Sequence, residues 1–135
     1  MTKEEIFEGN KLIVEFMEVD KKISSAGYIH SWSDPPFYYT TENSKEKVIH
    51  NIIKYSKYHS SYDWLMPVLK KINLEYNTTI GIIADENIQY CEIVSNIHND
   101  LLQITWKESR IDEIPLIELV YSAVIEFIKW RNNDD

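Results

Sequence analysis

The period of the apolar side chains changes near residue 78, and this change restricts the fold more than any other feature. Three runs rich in β-branched residues, at 78–84, 88–94 and 101–106, are separated by polar segments at 85–87 and 95–100. Short strands joined by short polar turns are typical of an antiparallel meander. Such a sheet has one face to bury and needs a second layer to cover it.

Four other segments carry apolar side chains at the helical period, with charged side chains on the opposite arc. The predicted helices cover residues 3–19, 45–57, 61–74 and 115–131. We therefore predict an α+β fold, in which the three-stranded antiparallel meander packs against four helices. The chain has 135 residues, which fits a single domain over 1–135.

The predicted helix starts depend on capping residues. Thr2 and Glu5 have the spacing of a capping box before the first helix. Ser60 or Ser61 is placed to cap the third helix. Pro67 falls inside that helix, where it removes one hydrogen bond and crowds the carbonyl four residues earlier. Because that carbonyl lies in the first turn, we expect a bend or a distorted first turn rather than a break.

The chain is acidic, with a formal net charge of −8. Acids outnumber bases in residues 1–20 and 76–135, whereas residues 21–75 hold more lysines than acids. A negative protein is repelled by phosphate backbones, which argues against free nucleic acid as a partner. The charge leaves open a basic protein surface, such as one that itself holds nucleic acid.

The composition also indicates a folded cytoplasmic protein. Hydrophobic residues make up 44% of the chain, which is enough for a core and excludes wholesale disorder. Cys91 is the one cysteine, so no disulfide forms within the chain, and this usage fits a reducing cytosol. Residues 1–5 carry charges of both signs, unlike a signal peptide. No window approaches the roughly 18 apolar residues of a membrane span, so no membrane contact is predicted.

The densest group of chemically distinctive side chains lies between residues 58 and 64. Tyr58, Tyr62 and Trp64 stand there beside His59 and Asp63. In a structural interpretation, Trp64 anchors the core while His59 and Asp63 bond a helix start. In a functional one, His59 and Asp63 form a polar pair in an aromatic pocket that binds a ligand or a partner's side chain. A third interpretation is acid–base catalysis by that pair.

Sequence motifs for catalysis or metal binding are missing from the chain. No two of its four histidines are three or four residues apart, which is the spacing of metal ligands. The three glycines are isolated, so neither a nucleophile elbow nor a Gly-rich phosphate loop occurs. Cys91 has no basic neighbour and is expected to be an inert core thiol. We therefore predict no metal, no cofactor, no catalytic residue and no enzymatic activity.

Aromatic residues are concentrated between positions 28 and 39. Residues 28–32 and 37–41 have the composition of two short strands separated by a Pro-Pro pair. This segment is either a flap that packs its rings on the core or an aromatic recognition surface. In the second case the candidate binding residues are Trp32, Tyr38 and Tyr39.

Two groups of acids are candidate negative surfaces. Both are either simply solvated or form binding surfaces for a basic partner. The first group falls on one narrow arc of the first predicted helix and consists of Glu4, Glu8, Glu15 and Glu18. The second lies in the predicted turn after the first strand and consists of Asp85 and Glu86.

Three segments carry a resemblance to known proteins: NKLIVEFM (10–17), YHSSYDWLMPVLKKI (58–72) and YSAVIEFIKW (121–130). In this order they resemble a family of small proteins encoded in phages, prophages and mobile elements of Bacteroides- and Flavobacterium-like bacteria. The chain departs from the family pattern at Tyr62 and Arg131, where the family has Trp and Tyr. The resemblance implies a small α+β fold in a phage setting and carries no catalytic residue with it.

The leading functional hypothesis is a small, acidic, non-enzymatic phage-type protein that binds a host protein in the host cell cytosol. Inhibitors of host defence nucleases, including anti-CRISPR proteins, share these properties. The acidic groups would then mimic a nucleic-acid backbone against a basic nucleic-acid-binding surface.

Two further possibilities remain open from the sequence. The alternative function is binding of a small ligand, such as a nucleotide signal, in a pocket of Tyr58, His59, Tyr62 and Trp64. Lys54 or Lys57 would lie near that pocket. In addition, the last predicted helix is apolar over most of its circumference. It is therefore buried on several sides, or buried on one side and docked to a second copy as a homodimer.

Overall fold

The computed structural model describes residues 1–24, 44–97 and 100–133, and it has the predicted α+β fold. The helices in these ranges are α1 (Lys3–Phe16), α2 (Lys45–Tyr55), α3 (Tyr62–Tyr76) and α4 (Leu116–Asn133). A short 3-10 helix follows α1 at Val19–Lys22. The strands, all between α3 and α4, are β1 (Thr78–Ala84), β2 (Ile88–Ile97) and β3 (Asp100–Arg110).

The three strands form the predicted antiparallel meander, in the order β1-β2-β3. β2 extends to Ile97 and β3 to Arg110, so both are longer than predicted. The polar residues after position 94 indicated a loop in the sequence. In the fold they continue β2 because their backbone groups pair with β3. The register changes between Ile93 and Val94, which marks a bulge in the β2–β3 pair.

Helix α1 begins where predicted and ends earlier. The Thr2 hydroxyl oxygen accepts a hydrogen bond of 3.1 Å from the backbone N–H of Glu5. The helix ends at Phe16 rather than at residue 19. Glu18 then adopts a left-handed conformation with φ of 55°, which no α-helix can contain, and the chain continues as the 3-10 helix.

Helix α3 contains Pro67 and continues past it to Tyr76. Ser61 occupies the N-cap position, but its side chain makes no capping hydrogen bond. The prediction of a serine at the N-cap is therefore confirmed at Ser61, although its hydroxyl does not make the capping bond. Instead, the Ser61 carbonyl accepts hydrogen bonds from the N–H groups of Trp64, at 3.2 Å, and Leu65, at 3.0 Å. These backbone bonds close the first turn without help from a hydroxyl.

The helices cover one face of the sheet. α4 packs on β2 and β3, α3 packs on β1, and α1 packs on α2 and α4. Buried residues from all four helices and from β2 form one core, including Ile13, Phe16, Ile52, Leu65, Ile72, Ile93, Val124 and Phe127. α4 is thus buried on several sides, which is the first of the two alternatives that its apolar circumference predicted. None of the helices in the described ranges has the length and apolar character needed to cross a lipid bilayer.

The side chain of Asn10 joins three helices in the interior. It is fully buried on α1, and its Nδ2 donates to the carbonyls of Ile53 at 3.1 Å and Ser56 at 3.2 Å, at the end of α2. Its Oδ1 accepts a hydrogen bond of 3.0 Å from the Tyr121 hydroxyl on α4. A buried amide is costly unless its bonds are made, so this network favours one arrangement of α1, α2 and α4.

Gly9, next to Asn10, allows α4 to approach α1 closely. A Cβ at Gly9 would overlap the hydroxyl oxygen of Tyr121 and would lie 2.9 Å from its Cζ. The same hydroxyl lies 3.0 Å from the Ile6 carbonyl. A larger residue at position 9 would therefore push Tyr121 away from both of its partners.

Replacing Asn10 should destabilise the protein strongly. We expect Asn10→Ala to lower the free energy of unfolding by about 2–4 kcal/mol, because two α2 carbonyls lose their side-chain donor in the interior. Lys11→Ala, at an exposed neighbour on α1, should change it by less than about 0.5 kcal/mol. Urea denaturation followed by circular dichroism measures both. Equal effects of the two substitutions would contradict the role of Asn10.

Candidate functional site

Tyr58 and Trp64 belong to the core rather than to a pocket wall. Tyr58 has no exposed surface, and Trp64 is 8% exposed. Their rings meet edge to face, with centroids 5.2 Å apart. Burial raises the pKa of the Tyr58 phenol, and its hydroxyl has no hydrogen-bond partner among the described residues. These two aromatic candidates therefore serve the structural role proposed for Trp64.

His59 and Asp63 are not joined as a polar pair. In the described part of the chain, no hydrogen bond or ion pair links their side chains. Asp63 is exposed in the first turn of α3, where a negative charge favours a helix start. Tyr62 beside it is 40% exposed. The His59 ring turns the other way and lies 6.1 Å from the ring of Tyr121.

The imidazole of His59 is partly buried and neutral near pH 7. Burial lowers its pKa from the usual value of 6.5, and the nearby Glu118 carboxylate opposes this effect without cancelling it. Its Nδ1 is buried and has no hydrogen-bond partner within the described residues. A buried polar atom without a partner is uncommon in folded proteins, so this ring calls for a local explanation.

His59 lines a groove between the first two turns of α1 and the second half of α2. The groove encloses about 620 Å³ and is lined by Lys3, Glu4, Ile6, Phe7, Glu8, His50, Lys54, Tyr55 and His59. We call it the α1–α2 groove. Of the pocket predicted from the sequence, only His59 and the neighbouring Lys54 lie there. The other walls come from α1 and α2, which sequence proximity to residue 58 did not indicate.

The predicted acidic arc of α1 is exposed. Glu4, Glu8 and Glu15 all reach solvent from that helix. Glu18 lies beyond its end and forms an ion pair of 3.0 Å with Lys21. The hydrogen bond and the charge of Lys21 lower the pKa of the Glu18 carboxyl.

The acids of the β1–β2 turn have different roles. The Asp85 Oδ1 accepts hydrogen bonds of 2.8 Å from the backbone N–H groups of both Asn87 and Ile88. These bonds lower the pKa of Asp85 and hold the turn closed. Glu86 is exposed at the tip. Asp85 is thus a structural residue with a charge, and Glu86 is the solvated acid of the pair.

A second candidate surface was not predicted from the sequence. Tyr90 on β2 and Trp106 on β3 are stacked in parallel on the face of the sheet opposite the helices, with centroids 4.5 Å apart. Trp106 is 43% exposed, Ile83 46% and Ile88 40%. We call Ile83, Ile88, Tyr90 and Trp106 the outer sheet face. Both faces of β2 carry apolar side chains, so the alternation of its sequence did not reveal which face the helices cover.

Acids surround the outer sheet face. Glu92 pairs with Trp106 in the register and Glu108 pairs with Tyr90, so both carboxylates lie on the same face as the stacked rings. The Glu92 Oε2 accepts a hydrogen bond of 3.0 Å from Gln103. Arg110, which pairs with Ile88 on the same face, lies 3.7 Å from the carboxylate of Asp112. The rim of this apolar face is therefore negative.

Trp32, Tyr38 and Tyr39 lie outside the described residues, as do the two strands considered for 28–41. Within the described ranges, no group of three or more His, Cys, Asp and Glu side chains is arranged to hold a metal ion. Cys91 is fully buried in β2, as predicted.

Comparisons with known proteins do not assign this fold to a family. Protein-family models, curated proteins and solved structures were each searched, and none of the three searches returned a match.

The neutral state of His59 makes stability depend on pH. In the unfolded chain the imidazole binds a proton near pH 6.5, whereas burial lowers its pKa in the native state. The unfolded state thus takes up more protons, and the free energy of unfolding should fall as pH drops below 6.5. Urea denaturation between about pH 5 and 7 measures this slope. His59→Asn should reduce the slope, and an unchanged slope would contradict the burial of the ring.

The Cys91 thiol should be unreactive in the folded protein. Burial, with the neighbouring Glu92 carboxylate, raises its pKa to about 11, and the thiolate is the reactive form. We expect Ellman's reagent at pH 8 to label Cys91 far more slowly in the native protein than in urea. Rapid labelling without denaturant would contradict the burial of this side chain.

Proposed function

We propose that this protein acts by binding a basic surface of another protein through its outer sheet face, without catalysing a reaction. One observation carries the proposal. Trp106 is exposed and stacks on the half-buried Tyr90, beside the exposed Ile83 and Ile88, on the face of the sheet that lies opposite α3 and α4. A contiguous exposed apolar patch with a polar rim is typical of a protein interaction site.

The aromatic residues suit the centre of an interface. Trp and Tyr contribute disproportionately to binding energy when a partner excludes water around them. The Tyr90 and Trp106 rings are already stacked in this structure, so they lose little conformational freedom on binding. Both stand on paired strands rather than on loops, which makes the surface rigid.

The charges indicate what kind of partner fits. Glu92 and Glu108 flank the stacked rings, Glu86 stands at the adjoining turn, and the whole chain carries −8. Complementary charge steers association and rejects acidic partners. The matching partner is therefore a protein with an apolar patch inside a basic surface.

Proteins that bind nucleic acid have such basic surfaces. The finer proposal is that the partner is a host nucleic-acid-binding defence protein, such as a nuclease, in the host cell cytosol. The phage-type resemblance of segments 10–17, 58–72 and 121–130 supports this choice. In that case the protein acts as an anti-CRISPR-like inhibitor, because its acidic face occupies the surface that nucleic acid would use.

Site-directed photo-crosslinking tests the proposal. A photoreactive phenylalanine replaces Ile83 on the outer sheet face, or Leu74, which is 76% exposed on α3, as the matched control. After irradiation in host lysate, we expect one basic nucleic-acid-binding protein to be crosslinked from position 83 and not from position 74. Trp106→Ala in the position-83 protein should abolish the crosslink while the circular dichroism spectrum stays unchanged.

The purified partner then separates the general proposal from the finer one. Duplex nucleic acid should compete with this protein for the partner, and binding should weaken at high salt because screening reduces charge–charge attraction. A crosslinked partner that is acidic, or crosslinks that survive Trp106→Ala, would contradict the outer-face proposal. Binding that duplex nucleic acid leaves unchanged would contradict only the inhibitor mechanism.

A further inference from the structure

The α1–α2 groove lies apart from the outer sheet face and has the dimensions of a small-molecule site. Its volume of about 620 Å³ falls in the range of ligand pockets, about 300–1,000 Å³. It is bounded by α1 and α2, whose relative position depends on the bonds of Asn10 to the Ile53 and Ser56 carbonyls. The groove is therefore held open by the core and does not need a ligand to form.

The walls of the groove are suited to a flat aromatic group. The Phe7 ring of α1 and the His50 ring of α2 are in direct contact, with centroids 5.5 Å apart and planes tilted by 51°, so together they form one aromatic wall of the groove. Ile6 and Tyr55 add apolar surface. Aromatic rings favour offset or edge-on contact with a further ring, so a planar ligand gains both burial and ring contact here.

Two lysines give the groove a positive component. Lys3 and Lys54 line it, and in the described part of the chain neither forms an ion pair with a carboxylate. The Lys54 ammonium lies 5.3 Å from the centroid of the Tyr55 ring. These cations are therefore available to an anionic group, such as a phosphate or a carboxylate.

The two glutamates of the groove stand at its rim. Glu4 and Glu8 also line a second groove, on the other side of α1 against α4. A residue that lines both grooves must stand on the ridge between them. On a helical wheel, Lys3 and Phe7 lie about 40° apart. Glu4 and Glu8 are displaced from these two residues, toward the side of α1 that faces α4. The interior of the groove is thus provided by lysine, histidine and aromatic side chains.

His59 completes the floor. Its ring is neutral near pH 7 and lines the groove, while its Nδ1 is buried without a partner among the described residues. Because Nδ1 is buried, the nitrogen left for a ligand is Nε2, which in a neutral imidazole makes one hydrogen bond, as donor or acceptor according to the tautomer, to the polar edge of a base or a similar heterocycle. Because the ring is neutral, His59 adds no charge to the groove, and the positive charge there comes from Lys3 and Lys54.

We propose that the α1–α2 groove binds a small aromatic anion, with the planar group packed against the wall formed by Phe7 and His50 and the anionic group at Lys3 and Lys54. Nucleoside monophosphates and aryl phosphates share this chemistry. The site goes beyond the proposed protein-binding function and uses none of the residues of the outer sheet face.

The test is a titration of the isotope-labelled full chain with adenosine 5′-monophosphate, followed by nuclear magnetic resonance. Adenosine without phosphate and phenyl phosphate are titrated in parallel, to separate the ring from the anion. We expect saturable shifts at the amides of Phe7 and Lys54 and at the His59 imidazole. Removing the phosphate from the ligand should weaken binding by about tenfold, since charge-assisted bonds to two lysines are lost.

Matched lysine variants locate the anionic group. Lys54→Ala should weaken binding of adenosine 5′-monophosphate by about five- to tenfold. Lys57→Ala, at an exposed lysine three residues away that does not line the groove, should leave it unchanged. Phenyl phosphate binding nearly as well as the nucleotide would assign the site to aryl phosphates in general, which also supports the proposal.

Three outcomes would overturn the proposal. These are no saturable shift up to millimolar nucleotide, equal effects of Lys54→Ala and Lys57→Ala, or equal binding of adenosine with and without its phosphate. Trp106→Ala should not affect this titration. Loss of partner crosslinking with intact nucleotide binding, or the reverse, therefore distinguishes a failure of one proposal from a failure of the other.

Discussion

The buried amide of Asn10 is the interaction on which the arrangement of the helices depends. It connects α1 to the end of α2 through two carbonyls and to α4 through the Tyr121 hydroxyl. An amide in an apolar interior tolerates few alternative arrangements, because each lost bond leaves a buried polar group without a partner. Gly9 removes the Cβ that would separate α1 from Tyr121. The α1–α2 groove is a direct consequence of this geometry.

Because α3 and α4 both lie on one face of the meander, the opposite face is left to form a surface. Lys107 on β3 points toward α4 and binds Glu126 at 3.1 Å, whereas its neighbour Trp106 points away. Exposed rings favour association, and the net negative charge counters non-specific association by mutual repulsion. The combination of an apolar centre and an acidic rim restricts the partners that this face accepts.

The candidate sites were less predictable from the sequence than the fold. Residues 58–64 carry the largest concentration of chemically distinctive side chains in the sequence. Whether Tyr58 among them is a core residue depends on its contact with Trp64 and on the helices around it. His59 and Asp63 have helical spacing, yet His59 precedes α3 and faces Tyr121 instead. The stacked rings on the outer sheet face went unpredicted, because residues 16 positions apart meet only through the register of β2 and β3.

The amino-acid sequence was sufficient to predict the type and order of the secondary-structure elements, the Thr2 cap, the turn at residues 85–87 and the acidic charge. These follow from propensity, side-chain period and turn chemistry, which act over a few residues. Which face of the sheet is covered, and which side chains line the α1–α2 groove, emerge only once the elements are packed together. Such contacts join residues far apart along the chain: the bond between Asn10 and Tyr121 spans 111 positions, and no local pattern specifies it.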